Sequence, residues 1–181
     1  MEMIDVLRQR HSCRNYLSQP IEAEILDEIL EAGRSAPSAQ NRQPWRYIVV
    51  SDRALIKKLA FHSIVGMTNF FIQDAPIVII ACGDTHSSLR FNQQDYYLVD
   101  VAISFGQMML AAWSFGIGSC WLAAFDETAL KKLLNLPTHY RVVGMSPFGY
   151  PKEKNLYTNI VSFVAGSRKR KEKDEIFQFI K

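Results

Sequence analysis

Two arginines, a histidine and a hydroxyl group lie within five residues near the N-terminus, in the run Arg10-His-Ser-Cys-Arg14. A guanidinium group presents a planar fork of N–H donors, which fits phosphate oxygens better than the point charge of lysine does. The run therefore indicates an anion site. Because Arg10 and Arg14 could instead pair with surface acids, the run alone leaves both interpretations open.

Two further segments carry groups that suit a ligand. Residues 37–45 contain two prolines and several small polar residues, which predicts a rigid loop. Its backbone amides and carboxamide could meet the edge of a heteroaromatic ring, although an ordinary connection between a helix and a strand has the same composition. Residues 168–173 form a second basic cluster, which could also be a solvated face.

The sequence shows no arrangement typical of nucleophilic, acid–base or metal chemistry. Cys13 has only His11 as a nearby base, and Ser12 lacks the glycine elbow of the hydrolases. The histidines at positions 11, 62, 86 and 139 have no spacing typical of metal ligands, and no pair of acids stands out. We therefore expect no metal site and no catalytic side chain, so an enzyme with this sequence would depend on a cofactor.

Length and composition limit the class of protein. The chain has 181 residues, enough for one domain with a substantial core. Its net charge of +3 gives no support for a nucleic-acid partner. The three cysteines have no paired spacing and the N-terminus carries acids rather than the basic region of a signal peptide, so we expect a cytoplasmic protein with reduced thiols.

An uncharged stretch over residues 101–125 predicts the centre of the fold. Up to Phe115 its apolar residues cover nearly every face, which is typical of a helix buried all round. It is shorter than a bilayer span and is broken at Gly116 and Gly118, so we expect no membrane segment. A helix this apolar in a small chain is expected to pack against a second copy. The contact residues should come from Met108, Met109, Ala112 and Trp113.

The remaining elements follow from periodicity and turn residues. Helices are predicted over residues 3–10, 20–33, 52–59, 61–75 and 126–134, and strands over residues 46–51, 76–82, 119–124 and 141–148. Short strands separated by helices indicate an α/β sandwich. Because Gly116 and Gly118 precede a strand rather than follow one, a doubly wound nucleotide-binding fold is not expected.

The order of these motifs resembles the FMN-dependent nitroreductase family across essentially the whole chain. Arg10-His-Ser-x-Arg14 comes first, and Pro37-Ser-Ala-x-Asn-x-Gln-Pro-Trp45 precedes the first strand. The apolar helix then leads into Gly116-Ile-Gly-Ser-Cys-Trp121, and Pro147-Phe-Gly-Tyr-Pro151 and Arg168-Lys-Arg170 follow. Each motif is weak alone, so the resemblance rests on their order and spacing.

The resemblance implies a three-layer α/β (α+β) sandwich of the nitroreductase type. It would have a mixed sheet of about four strands, a central buried helix, and a strand or arm exchanged between subunits. The chain would form a single domain over residues 1–181, with residues 152–181 as an arm that carries a basic phosphate-binding cluster. The family also implies a homodimer with two FMN sites at its interface, each built from both subunits.

The resemblance assigns most of the candidate residues to FMN by their positions. Arg10, His11 and Ser12 resemble contacts to the phosphate and ribityl groups. Arg14 resembles a basic residue at the pyrimidine edge, where its charge would favour the anionic reduced flavin. The other implied contacts are Arg168 and Arg170 to the phosphate, Pro37, Ser38 and Asn41 from the other subunit, backbone groups of Ala123 and Ala124 to flavin N5 and O4, and Asn69 at the ring edge.

Three features depart from the family pattern. Many members carry Glu-Gly where this chain has Ala123-Ala124, so only a backbone role survives there. Phe70 and Phe71 stand in a segment where relatives carry a lysine, and we predict that they line the substrate pocket. The chain also lacks a long insertion between the second strand and the central helix, which predicts a more open active site.

The function implied by the resemblance is that of an FMN-dependent NAD(P)H oxidoreductase. NADH or NADPH would reduce the flavin, and a small aromatic acceptor such as a nitroarene or quinone would then take the hydride in a ping-pong sequence. Two alternatives stay open. One is a specialised reaction of the same family, such as reductive dehalogenation or dehydrogenation of a metabolite. The other is a flavin-binding module without physiological turnover.

Overall fold

The computed structural model describes residues 2–61, 69–153 and 170–180 of the chain. The helices are α1 (Met3–Gln9), α2 (Ala23–Arg34), α3 (Arg53–Phe61), α4 (Tyr97–Ser114) and α5 (Glu127–Leu133). The strands are β1 (Trp45–Val50), β2 (Ile77–Asp84), β3 (Arg90–Phe91), β4 (Gln94–Asp95), β5 (Gly118–Ser119) and β6 (Tyr140–Gly149). Short 3-10 helices cover Ala39–Asn41, Phe70–Asp74 and Lys173–Glu175.

The main sheet has the strand order β1-β2-β6-β5, and each of these pairings is antiparallel. All eight residues of β2 are buried, because helices cover both faces of the sheet. Val78, Ile80 and Cys82 pack in the same core as α3 and α5. Ile77 and Ile79 pack on the other face with α2 and α4. This alternation confirms the predicted three-layer α/β sandwich.

Helix α4 is the central helix, but it is not buried on every face. Its inner face packs against α2 and β2 and includes Phe105, Met108 and Ala112, all fully buried within the chain. Met108, Met109 and Ala112 fill the core of their own chain, so of the four predicted contact residues only the half-buried Trp113 is left to meet a second copy. The exposed part of α4, here called the outer face, comprises Leu98, Val99, Ala102 and Ile103.

Strand β5 is shorter than the predicted strand over residues 119–124. Ser119 pairs with Phe148, but the next backbone N–H, that of Cys120, donates to the side-chain Oγ of Ser146 at 3.0 Å. Pairing resumes only at a single bridge between Leu122 and Met145. A serine hydroxyl thus takes the place of a backbone acceptor, and the chain leaves the sheet before residue 123.

Other boundaries agree with expectation in part. Asp126 Oδ1 accepts the Ala129 N–H at 3.0 Å, which confirms its predicted cap on α5. Parallel pairing, expected in a mixed sheet, is confined among the described residues to a bridge between Ser12 and Ser119. Residues 62–68 of the helix predicted over 61–75, and residues 154–169 of the predicted arm, lie outside the described part of the chain.

The end of α4 shows why a glycine is needed after the helix. Gly116 has a φ of 76°, a left-handed conformation that a residue with a Cβ rarely adopts, and it turns the chain toward β5. The turn separates α4 from the apolar residues that follow. Within the ranges described, no helix is both long enough and apolar enough to cross a bilayer.

Candidate functional site

Residues 10–14 are fixed beside the edge strand β5. The Cys13 N–H donates to the Ser119 carbonyl at 2.9 Å, and Ser12 forms the parallel bridge to Ser119. The close approach needs Gly118, because a Cβ there would lie 2.7 Å from the Cβ of Cys13. The sheet edge therefore holds the Arg10-His-Ser-Cys-Arg14 run in one backbone conformation.

Two backbone hydrogen bonds hold the segment that follows the run. The Leu17 N–H donates to the Tyr150 carbonyl at 2.9 Å, and the Lys152 N–H donates to the Asn15 carbonyl at 3.0 Å. The Tyr16 hydroxyl donates back to the Cys13 carbonyl within a buried site. These bonds support the run from its C-terminal side.

Several side chains of this run influence the buried thiol of Cys120. Burial raises the pKa of Cys120, while the charges of Arg14 and Arg10 and a hydrogen bond with Ser12 oppose that increase. Two guanidinium groups and a hydroxyl thus act on one point at the sheet edge. We call Arg10, Ser12 and Arg14 the anion cluster. Its donors are those that a phosphate group needs.

His11 lies against the end of α4. Its ring makes an edge-to-face contact with Trp113, with ring centroids 4.8 Å apart, and its Nδ1 is 3.1 Å from the Gln9 carbonyl oxygen. The Trp113 Nε1 is buried, and no residue in the described ranges accepts a hydrogen bond from it. A buried donor without an acceptor therefore lies next to the anion cluster.

The loop of residues 37–44 is held at the opposite end of α4. The Ala39 N–H donates to Asp100 Oδ1 at 2.9 Å, and Asp100 is buried in the first turn of the helix. The Gln43 N–H donates to Ser38 Oγ at 2.9 Å. Gln40 and Asn41 have positive φ values of 51° and 54°, so this backbone is tightly specified.

The side chains predicted to reach a partner's flavin differ in exposure. Pro37 and Asn41 are exposed, whereas Ser38 is half-buried and occupied by its bond to Gln43. Asp100, the residue that positions the loop, was missed by sequence reasoning. Its signal in the sequence was a single acid just before the uncharged stretch. A carboxylate on a buried helix needs a hydrogen-bond partner.

Ala123 and Ala124 follow the Leu122 bridge and are exposed. The bridge is closed by two hydrogen bonds, from Leu122 N to Met145 O at 2.9 Å and from Met145 N to Leu122 O at 3.0 Å. The sheet therefore fixes the position of the residue before Ala123, while both alanines themselves lie at the surface. This position is compatible with the predicted backbone role.

The segment of residues 69–71 divides between surface and core. Asn69 is buried and its carbonyl accepts the Ile72 N–H at 3.1 Å. Phe71 is 5% exposed and its ring lies 6.4 Å from that of Tyr16 inside the core, which does not fit the predicted pocket role. Phe70 is 38% exposed and contacts Phe61 edge-to-face, so only Phe70 can meet a ligand from this position.

The basic cluster near the C-terminus is described only in part. Arg170 is exposed, and Arg168 lies outside the described residues. The structure thus brings together Arg10, His11, Ser12 and Arg14 from the predicted site. It places Pro37, Ser38 and Asn41 at the other end of α4 in the same chain.

The structure is thus an antiparallel sheet covered on both faces by helices, with Arg10, Ser12 and Arg14 beside its edge strand β5. The sequence profile of the nitroreductase family matches residues 7–69 and 62–150 of this chain. The chain therefore belongs to the nitroreductase family.

Individual relatives agree with this assignment. A protein of Archaeoglobus fulgidus, provisionally assigned as an NADH dehydrogenase/NAD(P)H nitroreductase, is 34% identical over 161 residues, which cover 86% of this chain and 90% of the relative. The crystal structure of a nitroreductase family protein from Clostridium difficile 630 superposes with a TM-score of 0.83 at 27% identity, covering 99% of this chain and 98% of that one. An FMN-dependent nitroreductase of C. difficile R20291 superposes with a TM-score of 0.74 at 27% identity, covering 84% and 89%.

Proposed function

We propose that the chain is an FMN-dependent NAD(P)H oxidoreductase that acts as a homodimer on small aromatic acceptors such as nitroarenes and quinones. Its whole length would form one domain, with residues 152–181 as an arm that adds Arg168 and Arg170 to the phosphate site. The three buried cysteines are thiols, which supports a reducing, cytoplasmic location.

The donor set at the sheet edge fits the phosphate end of FMN. Arg10 supplies charge-assisted donors and Ser12 supplies a hydroxyl, which is the chemistry that binds a phosphate dianion, while Arg14 would meet the pyrimidine edge of the ring. The indole N–H of Trp113, beside His11, is buried and has no acceptor among the described residues. These observations support FMN as the ligand, because the anion cluster has hydrogen-bond donors for a phosphate and no side chain that could take a proton from a substrate.

The proposal that each FMN site is built from two subunits rests on where the loop of residues 37–44 and the anion cluster lie along α4. The loop of residues 37–44 is anchored at Asp100, and His11 is anchored at Trp113. These anchors are thirteen residues apart on one helix, or about 20 Å at 1.5 Å per residue. The loop and the anion cluster therefore lie at opposite ends of one helix. A two-fold dimer would bring the loop of one subunit to the anion cluster of the other.

The outer face of α4 offers the surface for that dimer. Val99 and Ile103 are 48% and 40% exposed and lie one helical turn apart, and Ala102 between them is also exposed. Helix α1 adds Ile4 and Leu7, both about half exposed. Exposed apolar side chains of this kind are typical of obligate interfaces, which resemble a protein core divided in two.

The chemistry would be divided between cofactor and protein. Bound FMN supplies hydride transfer, taking two electrons from NAD(P)H and delivering them to the acceptor. Arg10 and Ser12 would hold the phosphate, and the charge of Arg14 would stabilise negative charge on the ring system. The exposed backbone after Leu122 offers N–H and C=O groups to the ring edge. The side chains of this chain would bind and orient the reactants, without serving as acid or base.

Steady-state kinetics test whether NAD(P)H and the acceptor react in turn at one site beside the flavin. Because donor and acceptor would use the same open face beside the flavin in turn, initial rates measured over a matrix of NAD(P)H and quinone concentrations should give parallel double-reciprocal lines. Intersecting lines would show that both reactants bind together and would contradict a single shared site. Flavin binding without turnover of any quinone or nitroarene would favour the flavin-binding module instead.

A further inference from the structure

Asp84, His86 and His139 come together at the end of the sheet remote from the anion cluster. Asp84 is the last residue of β2, and it pairs with Tyr140, the first residue of β6. This register places His139 beside the chain that leaves β2 through His86. The two histidines are 53 positions apart in the sequence, so no local spacing could reveal their contact.

The possible ligand atoms of the three side chains converge. One carboxylate oxygen and one ring nitrogen from each histidine all lie within 4.8 Å of one another. The imidazole rings are stacked, with centroids 4.4 Å apart and planes 7° from parallel. Ligand bonds to zinc are roughly 2.0–2.2 Å long, so ligand atoms on one ion lie about 3.3 Å apart in a tetrahedral site. Because an imidazole nitrogen coordinates in the plane of its ring, a shared ion requires the exposed His86 ring to rotate out of this stack.

Hydrogen bonds fix the backbone around these side chains. The His86 N–H donates to Asp84 Oδ1 at 2.9 Å, which leaves that oxygen a second lone pair. Thr85 donates to the His139 carbonyl through both its N–H, at 3.0 Å, and its hydroxyl, at 2.9 Å. The Asp84 N–H donates to the Pro44 carbonyl at 2.8 Å. The three ligands therefore sit on backbone that is already ordered, which lowers the entropy lost on binding.

The nearest opposing charge is weakly placed. Arg46 approaches Asp84 Oδ2 with one guanidinium nitrogen at 3.9 Å, and its side chain is about half exposed. Such a loose, partly solvated pair contributes little, typically about 0–1 kcal/mol. A divalent ion that binds the carboxylate can displace this arginine without leaving a buried charge unpaired.

We propose that Asp84, His86 and His139 form a binding site for a divalent transition metal of the zinc class. Two imidazole nitrogens with one carboxylate oxygen are typical of zinc and its neighbours, whereas magnesium and calcium prefer oxygen ligands alone. Because His86 is exposed, the fourth position is open to water or to a ligand from solution. This proposal departs from the expectation, drawn from histidine spacing, that the protein has no metal site.

This metal site is separate from the proposed flavin site. Along β6, the residue opposite Asp84 is eight positions from the residue opposite Ser119, or about 26 Å at roughly 3.3 Å per residue. The site is, however, joined through Pro44 to the loop of residues 37–44. Metal binding would therefore stabilise the base of a loop that the dimer proposal assigns to the cofactor.

Zinc binding to the tag-free, FMN-loaded protein tests the proposal. After treatment with EDTA and dialysis, the protein is titrated with zinc chloride by equilibrium dialysis, and bound zinc is measured by atomic absorption. We expect one zinc per chain. The single variants His86→Gln and His139→Gln should each weaken zinc binding by at least about tenfold, since loss of mere supporting contacts to metal ligands costs 10–100-fold.

Asp95→Asn provides the matched control, because Asp95 is a nearby exposed carboxylate paired with Arg90 at 3.6 Å. It should leave zinc affinity unchanged. His86 is exposed and His139 is half-buried, and neither side chain belongs to either core cluster, so their variants are expected to keep the far-UV circular dichroism and the FMN content of the parent. Any of three results would overturn the assignment. Zinc affinity could be the same in the parent and in both histidine variants, it could fall as much in Asp95→Asn as in those variants, or binding could saturate far below one zinc per chain.

Discussion

Replacement of both Arg10 and Arg14 by alanine is expected to strip FMN from the protein. Each guanidinium should contribute a charge-assisted hydrogen bond or ion pair to the phosphate or ring, worth about 1.5–3 kcal/mol. Together the two losses amount to roughly 3–6 kcal/mol, or a hundredfold to ten-thousandfold weaker binding. Fluorescence titration of FMN against the refolded apoprotein and the variant measures this change directly.

The control for this variant removes two positive charges elsewhere. Arg90 is exposed and loosely paired with Asp95, and Lys132 is exposed on α5. The double variant Arg90→Ala/Lys132→Ala has the same net charge as Arg10→Ala/Arg14→Ala, so it controls for general electrostatic attraction of the anionic cofactor. It should bind FMN as the parent does. Equal FMN affinity in both double variants would disprove the assignment of the anion cluster.

The substitution Val99→Glu is expected to dissociate the dimer and release FMN together. Val99 is about half exposed in the single chain, so a glutamate there does not disturb the fold of the monomer. At the proposed interface the same carboxylate would be buried without a partner, which costs several kcal/mol in each subunit. Light scattering and flavin absorbance, measured on the same fractions, should show a monomer without FMN.

Val49→Glu is a matched control, because Val49 is an exposed valine on the edge strand β1 and not on α4. This variant should remain dimeric and yellow. A Val99→Glu variant that is monomeric but still binds FMN would show that one subunit builds the whole site. A Val99→Glu dimer as stable as the parent would place the interface elsewhere.

The sequence predicted the architecture well where one physical signal dominated. The continuous apolar run of β2 could only be a strand buried on both faces, and the structure confirms this burial. The cap at Asp126 and the turn at Gly116 were also predictable, because each depends on local backbone chemistry. The order of motifs then identified the family.

Periodicity could not predict which face of α4 packs inward. Met108 and Ile103 are both large and apolar, and only the packing of α2 and β2 decides that Met108 is buried while Ile103 is exposed. Likewise, Phe70 and Phe71 are identical residues, and the core around Tyr16 takes only one of them. A helix or segment that is apolar on all sides contains no internal signal for its orientation.

Contacts between distant residues were beyond sequence reasoning for a different reason. The bond between Ala39 and Asp100 and the approach of His139 to His86 depend on the register of the sheet and on loops that no periodic pattern specifies. A one-residue slip between β2 and β6 would separate the Asp84 cluster. Such sites become visible only when the tertiary fold is known.

The most direct test of the central claim is anaerobic reduction of the FMN-loaded protein by NADH or NADPH, followed by the visible absorbance of the flavin. At least one of the two nucleotides should bleach the flavin band without any acceptor, and a quinone added afterwards should restore it. A bound flavin that stays oxidised with excess NADH and with excess NADPH would contradict the proposal that this chain is an NAD(P)H oxidoreductase.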